Sequence, residues 1–296
     1  MVAPVEAAAP LEAVEPYDHA VVVCPDLDAA AANWQRLGFT LTPRGYHTLG
    51  SQNHCIMLAR DYLELLHVTA PNPSRQYYWD AQQRGGGCAA TSCKSRDAFA
   101  TAARLQAAGI ARSEPIEFSR PVRLDDGSEH AATFRVTAVD QAPGARYFVC
   151  EHRTPELLWR REWMSHANGA QAIGAMYLVV ADAELAEAGR VYATMTGGTL
   201  TTGADGTLHI AIDGAELVVT TAARLGRVTG TAAAGPAALY REVPGYAAIR
   251  LRTADLAAAR AHWHAHGVTV HDLGPRDALI PAAAANGVAL LFTQAA

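Results

Sequence analysis

The apolar positions of this chain follow two spacings that alternate along its length. Tyr17 to Val23 and Tyr62 to Val68 are short, nearly continuous apolar runs of the kind that form buried strands. Between them Leu27, Ala30, Ala31, Trp34 and Leu37 recur at helical spacing. Asp26 is placed to cap that helix and Gly38 to end it. Phe39 to Thr42 and Asn53 to Leu58 read as further strands, and Ala59-Arg60-Asp61 as the turn of a hairpin. The predicted order is strand, helix, strand, strand, strand.

The same order returns. Cys88 to Ser92 opens a second unit, with a helix capped by Ser95 that runs through Phe99, Ala102, Leu105 and Ala108, and with later strands at Ala131 to Val139 and Arg146 to Glu151. Gly174 to Val180 opens a third, with a helix from Asp182 to the stop at Gly197-Gly198 and a hairpin, Leu208 to Val219, turning at Asp213-Gly214. Tyr246 to Leu251 opens a fourth, with a helix through Leu256, Ala259 and Trp263 and a last strand, Val288 to Phe292. A repeated supersecondary unit constrains the fold more firmly than any single element. One such unit cannot bury its own sheet, so the expected fold is α+β, with four βαβββ units paired into two domains. The expected division is a disordered, Ala/Pro/Glu-rich leader at 1–16, a first domain at 17–165 and a second at 166–296, with Ala167-Asn168-Gly169 breaking the pattern at the junction.

Composition narrows the function classes. Net charge is −5, with no basic footprint for nucleic acid or an acidic membrane surface. No apolar run approaches the roughly 18 residues that span a bilayer. The five cysteines lack CxxC spacing, and Cys24, Cys55 and Cys150 lie in or beside apolar strands, so a reduced, cytoplasmic protein is expected. A small molecule is the expected partner, with a homodimer as a possible assembly.

Two polar residues stand out against the burial pattern. His19 and Glu64 occupy strands otherwise built to be buried. An unpaired buried carboxylate is very costly, and a metal ion is one partner that meets the need. A salt bridge from Glu64 to Arg60 or Arg120, and an ordinary buried hydrogen bond for His19, meet it as well.

In their order, Asp18-His19-Ala20-Val21-Val22, Leu37-Gly38-Phe39, Gly50-Ser51-Gln52-Asn53-His54 and Tyr62-Leu63-Glu64-Leu65-Leu66 resemble the vicinal-oxygen-chelate, or glyoxalase/dioxygenase, superfamily. More narrowly, Tyr17 to Trp159 is similar to its glyoxalase-like proteins, with Ser51 where those carry Thr. The resemblance implies cup-shaped sheets and a divalent metal (zinc, manganese, iron or nickel) held on the first and last strands of a unit. It implies lyase or isomerase chemistry on a small oxygenated substrate. It also leaves open a metal-free binding or resistance protein, and a ring-cleaving dioxygenase with an N-terminal site.

Carried onto this sequence, the ligand positions are His19 and Glu64. Alignment of Val149-Cys150-Glu151 with Tyr62-Leu63-Glu64 adds Glu151. The first strand of the second unit offers Cys88 or Ala89 opposite His19, so a fourth ligand is missing. His152 and His54 are candidates for proton transfer; strand alternation sets His152 opposite Glu151. Asn53 and Arg120 are candidates for substrate binding, and His47 lies in the preceding loop. His262 and His266, an i,i+4 pair, lack a neighbouring base and fit a helix C-terminus better than a metal. The third and fourth units carry poor ligand slots, so the second domain is expected to buttress the first.

Overall fold

The computed structural model describes residues 16–124, 127–139, 141–231 and 244–295. Apart from Pro16, the expected leader lies outside the described residues. The first unit is β1 (Tyr17–Val23), α1 (Leu27–Arg36), β2 (Gly45–His47), β3 (Ser51–Met57) and β4 (Tyr62–Val68). A helix, α2 (Gln76–Gln83), precedes the second unit: β5 (Gly87–Lys94), α3 (Ala98–Ala107), β6 (Ile116–Arg123), β7 (Glu129–Val139) and β8 (Arg146–His152). The third is β9 (Ala170–Val179), α4 (Leu185–Thr196), β10 (Thr199–Thr202), β11 (Leu208–Ile212) and β12 (Ala215–Thr220), followed by α5 (Ala222–Val228). The fourth is β13 (Gly245–Thr253), α6 (Leu256–Ala265), β14 (His271–Asp272), β15 (Asp277–Ile280) and β16 (Ala289–Gln294).

In each unit the first strand pairs parallel with the last: β1 with β4, β5 with β8, β9 with β12, and β13 with β16. First strands then pair antiparallel, β1 with β5 and β9 with β13, to make two sheets of the same order. A single residue pair, Tyr246 with Cys88, joins them. The four-unit α+β architecture is therefore the one expected from the repeat.

Apolar periodicity explains where the core lies. Trp34, Leu105, Tyr192 and Trp263 from the helices, and Leu37 at the end of α1, pack with Ala20, Val22, Met176, Ile249 and Phe292 from the strands in one core shared by both halves. The opposite faces of the two sheets line separate smaller clusters, one per cup. The junction is part of the packing. Asn168 is fully buried and donates to the Leu37 carbonyl, and His166 bridges the Thr40 N–H and the Met57 carbonyl. Gly38 has φ +92°, and a Cβ there would lie 2.9 Å from the Asn168 nitrogen, so glycine is required twice over.

Some elements differ from expectation. Phe39 to Thr42 forms no regular strand, and the short β2 takes its place. Asp97, not Ser95, caps α3 through the Phe99 and Ala100 N–H groups. The Asp213-Gly214 hairpin forms as expected, with positive φ at both residues.

Candidate metal centre in the N-terminal cup

A cavity of about 410 Å³ opens in the first cup, lined by His19, His47, Asn53, Tyr62, Glu64 and Arg120 among others. β1 supplies His19, β4 supplies Glu64, and β2 and β3 supply His47 and Asn53. His19 Nε2 lies 3.7 Å from one Glu64 oxygen and His47 Nε2 lies 3.8 Å from the other. Asn53 Nδ2 donates to Glu64 Oε1 at 2.6 Å and approaches His47 Nε2 at 3.5 Å. Burial pushes the Glu64 carboxyl up, but His47, His19 and the Asn53 hydrogen bond outweigh it and hold the group below its ordinary value. Burial pulls His47 down to about 4, so its imidazole is neutral near pH 7.

Each imidazole is oriented from behind. His47 Nδ1 lies 3.0 Å from Ser51 Oγ, and His19 Nδ1 lies 2.6 Å from Asp18 Oδ2. Asp18 and His19 are adjacent, yet their side chains meet. The pairing of β1 with β5 explains this: Tyr17 faces Cys93 and His19 faces Ser92, leaving Asp18 as the extra residue of a bulge. Asp18 also accepts from His152 Nε2 at 2.9 Å and from Lys94 Nζ at 2.9 Å. Burial pushes its carboxyl up, but His152, His19 and Lys94 more than offset that and hold it well below the usual carboxylate range. An ionised carboxylate can only accept, so His19 Nδ1 carries the proton. Its other nitrogen, Nε2, is the one turned toward Glu64.

The register corrects the expected second-unit ligand. Val21 pairs with Glu64, and Ser92, five residues before its own helix cap as Val21 is before Asp26, pairs with Phe148. Phe148, not Glu151, therefore holds the Glu64 slot, and Ala90 holds the His19 slot. Glu151 faces the other way, accepting from the Ala98 N–H at 3.0 Å and pairing with Arg153 at 2.7 Å and Arg135 at 3.3 Å. His54 is also displaced. Alternation along β3 sends Asn53 and Cys55 into the cavity and His54 out, where Nδ1 meets the Thr42 carbonyl at 2.8 Å. His152 does not line this cavity; it lines a neighbouring one with Lys94 and Trp159 and reaches His19 through Asp18. Arg60, a proposed partner of Glu64, instead pairs with Asp213 at 2.9 Å. His262 meets the Arg36 carbonyl, as suits a helix end.

Two donor sets merit the test of fit. Asp18, Cys150 and His152 offer ligand atoms all within 4.8 Å of one another. The Lys94 ammonium already sits on Asp18, and burial pushes the Cys150 thiol well above its ordinary value, which keeps it protonated and a poor ligand. The set of His19, His47 and Glu64 has the opposite balance. The Nε2 atoms of two imidazoles face a carboxylate at distances too long for hydrogen bonds, and one amide N–H₂ donates to that carboxylate. Bonds of about 2.1 Å meeting at tetrahedral or wider angles leave donors roughly 3.4–4 Å apart. His19 and His47 each stand at such a distance from Glu64, on opposite oxygens of its carboxylate, so each pair fits a divalent cation, while the three ligand atoms together are spread more widely than those of Asp18, Cys150 and His152.

The comparisons agree with this architecture. Residues 17–194 match the family model described as a glyoxalase-like domain. The chain belongs to the glyoxalase-like family of the vicinal-oxygen-chelate superfamily. The match passes the first cup and runs through β9 into α4, further than the Trp159 limit expected from motifs alone. No curated protein matches the sequence. Among solved structures, a hypothetical protein from Staphylococcus aureus superposes with a TM-score of 0.64 at 10% identity, over 94% of this chain and 99% of that one. A fusion protein titled xylose isomerase-like TIM barrel/4-hydroxyphenylpyruvate dioxygenase gives 0.61 at 17% identity, over 98% of this chain and 51% of that one. A triple mutant of 4-hydroxymandelate synthase from Streptomyces coelicolor gives 0.56 at 11%, over 95% and 93%. At such identities the likeness is one of glyoxalase-like fold.

Proposed function

We propose that this glyoxalase-like protein is a divalent-metal-dependent enzyme whose working site is the N-terminal cup, 17–165, and that 166–296 serves as its buttress. His19, His47 and Glu64 are the proposed ligands. The observation that carries the reading is that His19 Nε2 and His47 Nε2 face the two oxygens of the buried Glu64 carboxylate at 3.7 and 3.8 Å, too far for hydrogen bonds. When bound, the ion supplies a Lewis acid that polarises a substrate carbonyl or hydroxyl, as lyase and isomerase chemistry requires. Asp18 and Ser51 hold the two imidazoles in their orientations. Asn53 fixes the Glu64 carboxylate, and its own Oδ1, buried and without a hydrogen-bond partner among the described residues, is available to a substrate hydroxyl. Tyr62, stacked on His19 at 4.4 Å between centroids, and Phe148, edge-on at 5.1 Å, exclude water from that imidazole. Arg120 is the proposed substrate-binding cation.

The experiment is elemental analysis and calorimetry with Zn²⁺, Mn²⁺, Fe²⁺ and Ni²⁺ on protein purified without a metal-binding tag. Binding of one ion per chain, abolished in Glu64→Ala and in His19→Ala, supports the reading. Equal binding by these variants, or small-molecule binding indifferent to chelators, sinks it and favours a metal-free binding protein. Two imidazoles and a carboxylate are also the donor set of non-haem iron oxygenases. Ring cleavage at the same N-terminal site is therefore the second reading, distinguished by oxygen uptake with Fe²⁺ alone.

A further inference from the structure

Arg75 lies between β4 and α2, in the segment inserted between the first two units, and its guanidinium lines the same cavity. It lies over the Phe118 ring at 5.3 Å and near the Tyr78 ring at 5.9 Å. Its Nε is buried and has no hydrogen-bond partner, and no carboxylate among the described residues lies within salt-bridge distance. Arg120, on β6, is 3% exposed and donates to Cys55 Sγ at 3.7 Å. It too has no carboxylate partner among the described residues. The one carboxylate on the described cavity wall, Glu64, is committed to Asn53 and the two imidazoles.

Glu64 attracts Arg75 only from beyond salt-bridge distance, and two desolvated guanidinium groups with no carboxylate in contact are expensive, compensated poorly by water alone in a cavity walled by Tyr62, Tyr78, Phe118, Phe134 and Phe148. A bound divalent cation adds to the excess. The missing partner is an anion. A planar guanidinium matches a carboxylate in bidentate fashion, and the ring-lined volume suits an apolar body of aromatic size.

We propose that the cup takes a small organic carboxylate with an aromatic or similarly flat apolar body, its carboxylate held by Arg75 and Arg120 and its other end turned toward His19, His47 and Glu64. This names the substrate class for the site proposed above and so rests on that site, but its charge argument does not need the metal.

The probes are phenylacetate, its neutral isostere phenylacetamide, and inorganic phosphate, measured by calorimetry on the full chain. Phenylacetate is expected to bind at least tenfold more tightly than the amide. Arg75→Gln removes that preference while leaving Mn²⁺ or Zn²⁺ binding unchanged, which also shows that the variant is folded; Arg75→Lys restores part of it. In Glu64→Gln, which removes the competing negative charge, phenylacetate binding is retained or strengthened even as metal binding falls. That result upholds the anion site whatever becomes of the metal. Equal binding of acid and amide, or an unchanged preference in Arg75→Gln alongside intact metal binding, overturns this inference alone. Tighter binding of phosphate than of phenylacetate overturns the carboxylate assignment.

Discussion

The two cups share strand order and register and differ in what fills them. Corresponding first-strand slots hold His19, Ala90, Ala175 and Ala248, as the pairs His19 with Ser92 and Ala175 with Arg250, Val21 with Ala90 and Tyr177 with Ala248 establish. The corresponding last-strand slots hold Glu64, Phe148, Val218 and Leu291. The second cup is closed by its own arginine. Arg250 donates to the Tyr177 hydroxyl at 2.9 Å, Thr293 at 2.7 Å, Asp277 at 3.0 Å and the Thr229 carbonyl at 3.2 Å. In the first cup Arg75 and Arg120 face a cavity with no carboxylate in salt-bridge contact among the described residues; in the second Arg250 is saturated by protein. The same scaffold thus yields a site where polar groups are left short of partners, and a core where they are not.

The largest effect that would break this comparison is the location of the metal. Glu64→Ala is expected to remove all tight divalent-ion binding, measured by elemental analysis, and retention of a full equivalent would move the centre elsewhere. Next is the contact between halves. Asp61, on the β3–β4 turn, accepts the Ile173 N–H at 3.0 Å, and burial raises its carboxyl to about 7. The folded state therefore holds a proton that the unfolded state has released between about pH 4 and 7, and stability falls as pH rises through that window. Asp61→Asn keeps an acceptor and removes the charge. It is expected to be more stable than wild type by up to about 4 kcal/mol at pH 8, at 1.36 kcal/mol per pKa unit, with the gain vanishing near pH 4. Equal chemical-denaturation midpoints at pH 8 would refute it. Arg250→Met in the second cup is expected to cost about 3 kcal/mol in the same assay, by analogy with lost charge-assisted hydrogen bonds, and to leave metal affinity unchanged. The smallest effect belongs to Glu151→Ala, expected to cost about 1 kcal/mol through the N-terminus of α3 and again to spare metal binding. A large loss of metal affinity there would restore Glu151 as a ligand.

Much of this was legible in the residues. The β1 and β4 strands, the helix spacing and the Asp213-Gly214 turn are local signals, and they place His19 and Glu64 in the cup. The remainder depends on contacts distant in sequence. β6 was not expected because its burial is irregular and Pro121 lies within it; it is defined by pairing with β7. The three-residue β2, which aims His47, is likewise defined by β3. Arg75 gave no sequence signal, since its meaning lies in which rings and charges it meets after folding. Glu151 was misplaced because aligning the last strands by their Glu residues shifted the register by three positions, enough to exchange one face for the other.

The extra residue at position 18 carries a final consequence. Deleting it would let the first strand pair without interruption, with Tyr17 still opposite Cys93 and His19 still opposite Ser92, so that neither would change face. The imidazole would survive in the wall but lose the anionic brace behind it, and Lys94 and His152 would be stranded together. A family member lacking that insertion should therefore also lack the lysine and histidine beneath it, so that all three positions change together or not at all.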